Sequence, residues 1–130
     1  MPWIQVFAVF IVSHLVGDYV VQTDWQAIHK RGGLTGPPIA RRALVSHATT
    51  YTLAFVPGFV WLWSSLHFGV IGLAALIGVP HLIQDDGRML ALYAKRVKKA
   101  DITTNVSLGA ALDQSFHLVA LFLTALIAGR

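Results

Sequence analysis

The chain has 130 residues, 55% of them hydrophobic and only 12% charged, with a mean hydropathy of +0.63. A soluble domain carries about 25% charged residues, so this composition points to a single domain that lives in lipid. Cysteine is absent, which excludes a disulfide framework and every thiolate-ligated metal centre; the net charge of +4 hides a complete lack of glutamate, all six acids being aspartates.

The first apolar run covers residues 3–21. No basic segment precedes it and no small-residue cleavage site follows it, so it reads as a retained span rather than a signal peptide. Thr23 then offers a helix cap for a short interfacial helix over 23–30, which Gly32, Gly33, Gly36, Pro37 and Pro38 turn into a loop. The second run is 43–63 and the third 66–83, with only Ser64 and Ser65 between them, a tight hairpin. Residues 89–97 place Met89, Leu90, Leu92, Tyr93 and Val97 opposite Arg88, Lys95 and Arg96, a basic amphipathic stretch suited to an anionic membrane surface. The fourth run is 106–128. Each run approaches the ~20 residues a helix needs to cross a bilayer. The expected fold is therefore all-α: an integral-membrane four-helix bundle with short interfacial helices, forming one domain over 1–130.

Basic residues orient it. Lys30, Arg31, Arg41 and Arg42 fall between the first and second runs. Arg88, Lys95, Arg96, Lys98 and Lys99 fall between the third and fourth, and the remaining connection has none. The positive-inside rule puts both basic connections in the cytoplasm and both termini outside, in a bacterial inner membrane. Trp3, Trp61 and Trp63 then lie at the outer interface, and Trp25 and Tyr93 at the inner one.

Three histidine–aspartate pairs lie inside these runs at a spacing of four: His14/Asp18, His81/Asp85 and, reversed, Asp113/His117. That spacing puts both side chains of a pair on one helix face. An aspartate in a membrane helix is costly and rarely without a task. At about 1.5 Å per residue, the three pairs and His47 of the second run all fall in the cytoplasmic half of the bundle. Imidazoles and carboxylates without sulfur are the ligand set of a hard or borderline metal. Seven such residues exceed one tetrahedral zinc and suit two divalent ions in a bundle core. The expected ligands are His14, Asp18, His47, His81, Asp85, Asp113 and His117, holding one or two divalent ions, zinc first among them. A structural ion-pair network of the same residues is the bland alternative. Gln22 and Gln114 are candidate outer donors, whereas Gln84 points away from its neighbouring pair. Tyr51, one turn beyond His47, either orients a ligand or stabilises an oxyanion or simply packs. His29 and His67 lack an acid at i±4 and read as ordinary hydrogen-bonding histidines.

The ordered series His14…Asp18…Gln22-Thr23-Asp24-Trp25, Lys30, His47…Tyr51, His81…Asp85 and Asp113-Gln114…His117 resembles a domain-of-unknown-function family of small bacterial and phage membrane proteins. That family is distantly similar to membrane-bound metal-dependent hydrolases. Its His-x-x-x-Asp elements are also similar to those of zinc-dependent phospholipase C, although those enzymes use glutamates and this chain has none. The resemblance implies metal and hydrolysis, without a substrate. The leading expectation is a metal-dependent membrane hydrolase acting on a lipid or lipid-linked phosphate ester at the inner leaflet, with Asp18 or Asp113 as general base. Its partners are membrane lipid and a lipid-phosphate substrate, with room for a homo-oligomer and no nucleic acid. The alternative is a non-enzymatic membrane protein: a metal or proton carrier, or a phage-type effector that binds a host membrane protein. Haem ligation by two histidines is a third reading, made unattractive by the neighbouring aspartates.

Overall fold

A computed structural model describes residues 1–129, and among them the chain is all α-helical with no strand. Helix α1 (Trp3–Leu15) runs directly into a π-helical segment, Val16–Val21. Helix α2 (Asp24–His29) is short. Helices α3 (Pro38–Leu53), α4 (Val56–Leu66), α5 (Gly69–Asp86), α6 (Arg88–Arg96) and α7 (Val106–Ala128) follow. The central contacts are α1 on α7, α3 on α5 and α5 on α7, with α2 laid against α3 and α6 bridging α5 and α7.

Local chemistry sets several boundaries. Thr23 caps α2 through a full capping box. Its hydroxyl accepts from Gln26 N–H at 3.1 Å, and the Gln26 side chain accepts from Thr23 N–H at 3.0 Å. Gly87, at φ 83°, separates α5 from α6 in the left-handed conformation that glycine adopts without a Cβ penalty. Asn105 caps α7 by accepting from Leu108 N–H.

The second apolar run, expected as one span over 43–63, is two helices. Its α3 part starts earlier, at Pro38, and α4 leaves it with a bend of 53°. The cause is Pro57, which has no N–H to give to Leu53 and whose ring would collide with that carbonyl in a continuous helix. Ser64 and Ser65 are not the hairpin. They lie inside α4, and the turn to α5 falls at His67 and Phe68, with His67 at φ 48°. Thus His67 closes a turn and packs edge-on against Trp63 rather than bonding between helices. His29, for its part, bonds its own helix, Nδ1 to Trp25 O at 2.8 Å.

Two helical stretches are long and apolar enough to cross a membrane: Trp3–Val21, which includes the π segment, and Val106–Ala128. The bent pair α3–α4 makes a third if it acts as one span. Helix α5 has 18 residues but ends in Gln84, Asp85 and Asp86, and is not among them. The surface is more apolar, and part of the interior more polar, than in a water-soluble domain. His14, Asp18, His47, His81, Asp85, Asp86 and His117 are buried, while Ile4, Val12, Val20, Val60, Ile71 and Val119 are exposed. One half of the interior is a closed apolar core of Val6, Phe10, Phe55, Leu62, Leu73 and Leu121. The other half holds the charges.

Candidate metal centre

The residues singled out in the sequence converge. Asp18 comes from the π segment, His47 from α3, His81 and Asp85 from α5, and Asp113 and His117 from α7. All four apolar runs therefore contribute. A π turn widens the backbone, and such turns are frequent at functional sites; here it carries Asp18 inward. Gly17, beside it, lets the segment approach α3 so closely that a Cβ would lie 2.6 Å from Tyr51 Cδ2.

Two groups of potential ligand atoms result. In the first, His47 Nε2 lies 3.1 Å from Asp18 Oδ1 and 2.9 Å from Asp85 Oδ2. His81 Nε2 lies 3.0 Å from Asp85 Oδ2, 3.4 Å from Asp18 Oδ1 and 2.9 Å from His47 Nε2. In the second, His117 Nε2 lies 3.0 Å from Asp85 Oδ1 and 3.5 Å from Asp113 Oδ1. Asp85 thus joins the groups, one carboxylate oxygen to each. All these residues are buried except Asp113, whose side chain is 19% exposed.

These donors fit a cation. Donors held at 2.0–2.2 Å from one ion are separated by roughly 2.9 Å in octahedral geometry and about 3.3 Å in tetrahedral geometry, and the first group spans this range. Two imidazole nitrogens 2.9 Å apart cannot both carry a proton into the space between them, whereas both lone pairs can point at one ion. Charge agrees. Asp18, Asp85 and Asp113 face one ammonium, Lys30, whose Nζ lies 2.7 Å from Asp85 Oδ2. With the histidines neutral, as metal ligation requires, the two remaining negative charges equal one divalent ion, and an unpaired carboxylate in low dielectric is costly. His47 Nδ1 and His81 Nδ1 are buried with no hydrogen-bond partner among the described residues. They lack the outer acceptors that usually orient metal-bound histidines. For His81, ring stacking supplies the orientation: Tyr51 lies parallel to it at 3.4 Å between centroids, and His117 stacks at 4.5 Å.

His14 stands one step outside both groups. Its Nδ1 is 2.9 Å from the Tyr51 hydroxyl, its Nε2 is 2.8 Å from Gln114 Oε1, and Asp18 Oδ2 is 3.8 Å away. The Gln114 amide donates to Asp18 Oδ2 at 3.4 Å and Asp113 Oδ2 at 3.3 Å, tying the two outer aspartates together. Gln22 accepts from Lys30 Nζ at 2.8 Å and so positions the ammonium rather than a metal ligand. Gln84 donates to Phe116 O, away from the cluster.

Lys30 is the site residue that spacing did not single out. It reaches Asp85 because the loop after α2 is fastened to the α5–α6 junction. Gly32 N–H donates to Asp86 O at 2.8 Å and Leu34 N–H to Asp86 Oδ1 at 3.0 Å; Arg88 donates to Gly32 O and to the Thr35 hydroxyl. Asp86, next to the hub, is thereby a loop anchor. The one available signal was Lys30's place in the motif series between Trp25 and His47.

Residues 6–129 match the family described as "Protein of unknown function (DUF3307)". The chain belongs to that family. The match covers the helical array except the first three residues of α1, includes all seven His/Asp positions, and names no reaction. No curated protein and no solved structure matches the chain. The expected likeness to membrane-bound hydrolases therefore finds no support among relatives, and the chemistry has to come from the site.

Proposed function

We propose that this protein is a four-span membrane enzyme that uses a divalent metal, zinc first among the candidates, to hydrolyse a lipid or lipid-linked phosphate ester. The carrying observation is the pair of buried His/Asp groups joined through Asp85, one of them reaching a cavity through Asp113. Asp18, His47, His81 and Asp85 would hold one ion, and Asp85, Asp113 and His117 a second. A bound divalent ion supplies Lewis acidity toward a phosphoryl oxygen and lowers the pKa of coordinated water.

The chain's own groups then have distinct tasks. Asp113, the most exposed of the three carboxylates, stands at the end of the cavity, placed to accept a proton from the attacking water through the oxygen it does not give to an ion. Asp18 has only 5% of its side chain exposed and is the weaker candidate for that role. Gln114 holds Asp113 and Asp18 in register, and Tyr51 with His14 buttresses His81 from behind. A second divalent ion would turn the centre net cationic, which suits a phosphate ester anion. The nine basic residues of the two polar connections suit an inner-leaflet site, with both termini on the opposite side of a bacterial inner membrane.

A carrier of metal or protons needs polar groups that continue toward the other face. Beyond Tyr51 the interior is Phe10, Phe55, Val6 and Leu62, all fully buried, which favours catalysis within one leaflet over conduction. The test is release of product from labelled anionic phospholipids and isoprenoid phosphates by purified, metal-loaded protein. Asp113→Ala, still folded, should lose turnover. Absence of metal-dependent turnover across both lipid classes would refute the hydrolase reading in favour of a non-enzymatic membrane protein.

A further inference from the structure

A cavity of about 400 Å³ lies between α5, α6 and α7, walled by Ile83, Met89, Leu90, Tyr93 and Phe116, with the Asp113 carboxylate in its lining. Its volume is within the ~300–1,000 Å³ of small-molecule sites. The walls are apolar and aromatic, Tyr93 standing edge-on to Phe116 at 5.1 Å. Asp113 is the one ionised side chain that lines it, and it also belongs to the second His/Asp group. The cavity is thus an apolar sleeve ending at the candidate metal centre.

We infer that this sleeve receives one hydrocarbon chain of an anionic membrane lipid and presents the lipid's phosphate linkage to Asp113. Three observations commit it to that occupant. Its own lining residues Ile83, Met89 and Tyr93 are exposed, so the cavity opens on an apolar surface of the kind that faces lipid chains. Its third wall, α6, is amphipathic. It turns Leu90 into the fold and carries Arg88, Lys95 and Arg96, the arrangement of a helix lying at the boundary between chains and headgroups. Arg88 is held by Gly32, Thr35 and Asp86, which leaves Lys95 and Arg96 to supply positive charge for an anionic headgroup, next to a pocket that has no cation of its own. The position of the phosphate rests on the metal-dependent reading above, because a bare Asp113 carboxylate would repel it.

The test uses purified protein in phosphatidylcholine vesicles doped with phosphatidylglycerol that bears a diazirine on one acyl chain. After photolysis, labelled residues are mapped by mass spectrometry. The inference expects several-fold stronger labelling of Leu90, Tyr93 and Phe116 than of Val12 and Val119, which are exposed but outside the cavity. Ile83→Trp, which fills the sleeve from a partly exposed helix position, should abolish that excess and leave Val12 labelling unchanged. Uniform labelling, an Ile83→Trp variant indistinguishable from wild type, or cross-linking of α6 to a second copy of the chain would each overturn it. Hydrolysis without the excess labelling would overturn the sleeve and leave the enzyme. Excess labelling without hydrolysis would keep the lipid site and refute the enzyme.

Discussion

At Gly17 the backbone of the π segment packs directly on Tyr51 of α3, and Gly17→Ala tests how tightly the centre depends on that approach. The added methyl would sit 2.6 Å from Tyr51 Cδ2, 3.3 Å from Cε2 and 3.2 Å from Tyr51 Cα. Carbon atoms pack at ~3.5–4.0 Å, so the overlap is roughly 1 Å. Tyr51 has no room to yield. It is 1% exposed, stacked on His81 and bonded to His14. The third contact is to its backbone, so α3 must move away from the π segment. Overpacking of this kind costs about 1–3 kcal/mol. His47 lies one turn before Tyr51 on the same helix, so the displacement lengthens its 3.1 Å contact with Asp18. Metal affinity should fall by about 10- to 100-fold, as it does when the support of a ligand is lost. Gly72→Ala in the first turn of α5 is the control: a Cβ there meets nothing within 4 Å, and replacing a helical glycine by alanine stabilises by up to roughly 0.5–1 kcal/mol. Thermal unfolding in detergent and metal titration read both effects. A Gly17→Ala protein as stable and as metal-avid as Gly72→Ala would refute the reasoning.

Lys30→Met should tighten metal binding by tenfold or more in titration calorimetry, because Lys30 Nζ occupies the same Asp85 oxygen as His47 and His81; weaker binding would mean that the ammonium supports the metal-bound state. Thr23→Ala removes the hydroxyl half of the α2 capping box and should lower stability by about 1 kcal/mol, read as a fall in Tm, while Thr23→Ser should restore it. For topology, a cysteine in place of Ser64 should be labelled by an impermeant maleimide in intact cells and one in place of Thr35 only after lysis. The reverse pattern would invert the orientation.

The sequence makes the site more legible than the backbone that builds it. Paired His and Asp at a spacing of four, all at one depth, bring six of the seven expected residues into two contiguous groups. The two-residue period of a strand or the loose spacing of a loop would not have aligned them. His14 escapes because its own helix turns π-helical beyond Leu15: the changed pitch shifts Asp18 off the spacing-of-four line, and the His14 imidazole bonds Tyr51 and Gln114. Lys30 escapes because its position follows from backbone hydrogen bonds between the loop after α2 and Asp86, which leave no periodic trace. Hydropathy located the ends of α7 at 106–128 correctly. It overlooked the break at Pro57, because a proline inside an apolar run changes direction without changing hydrophobicity. The amphipathic α6 was legible, but the sleeve beneath it was not, since it arises only when three helices meet.

The central claim, a metal centre organised around a shared carboxylate, is tested most directly by metal content per chain. Elemental analysis of the purified wild type should give two divalent ions. Asp18→Asn and Asp113→Asn, each confined to one group, should retain one, and Asp85→Asn, which serves both, should retain none while remaining helical by circular dichroism. Metal-free wild-type protein after loading, or full metal content in Asp85→Asn, would contradict the account.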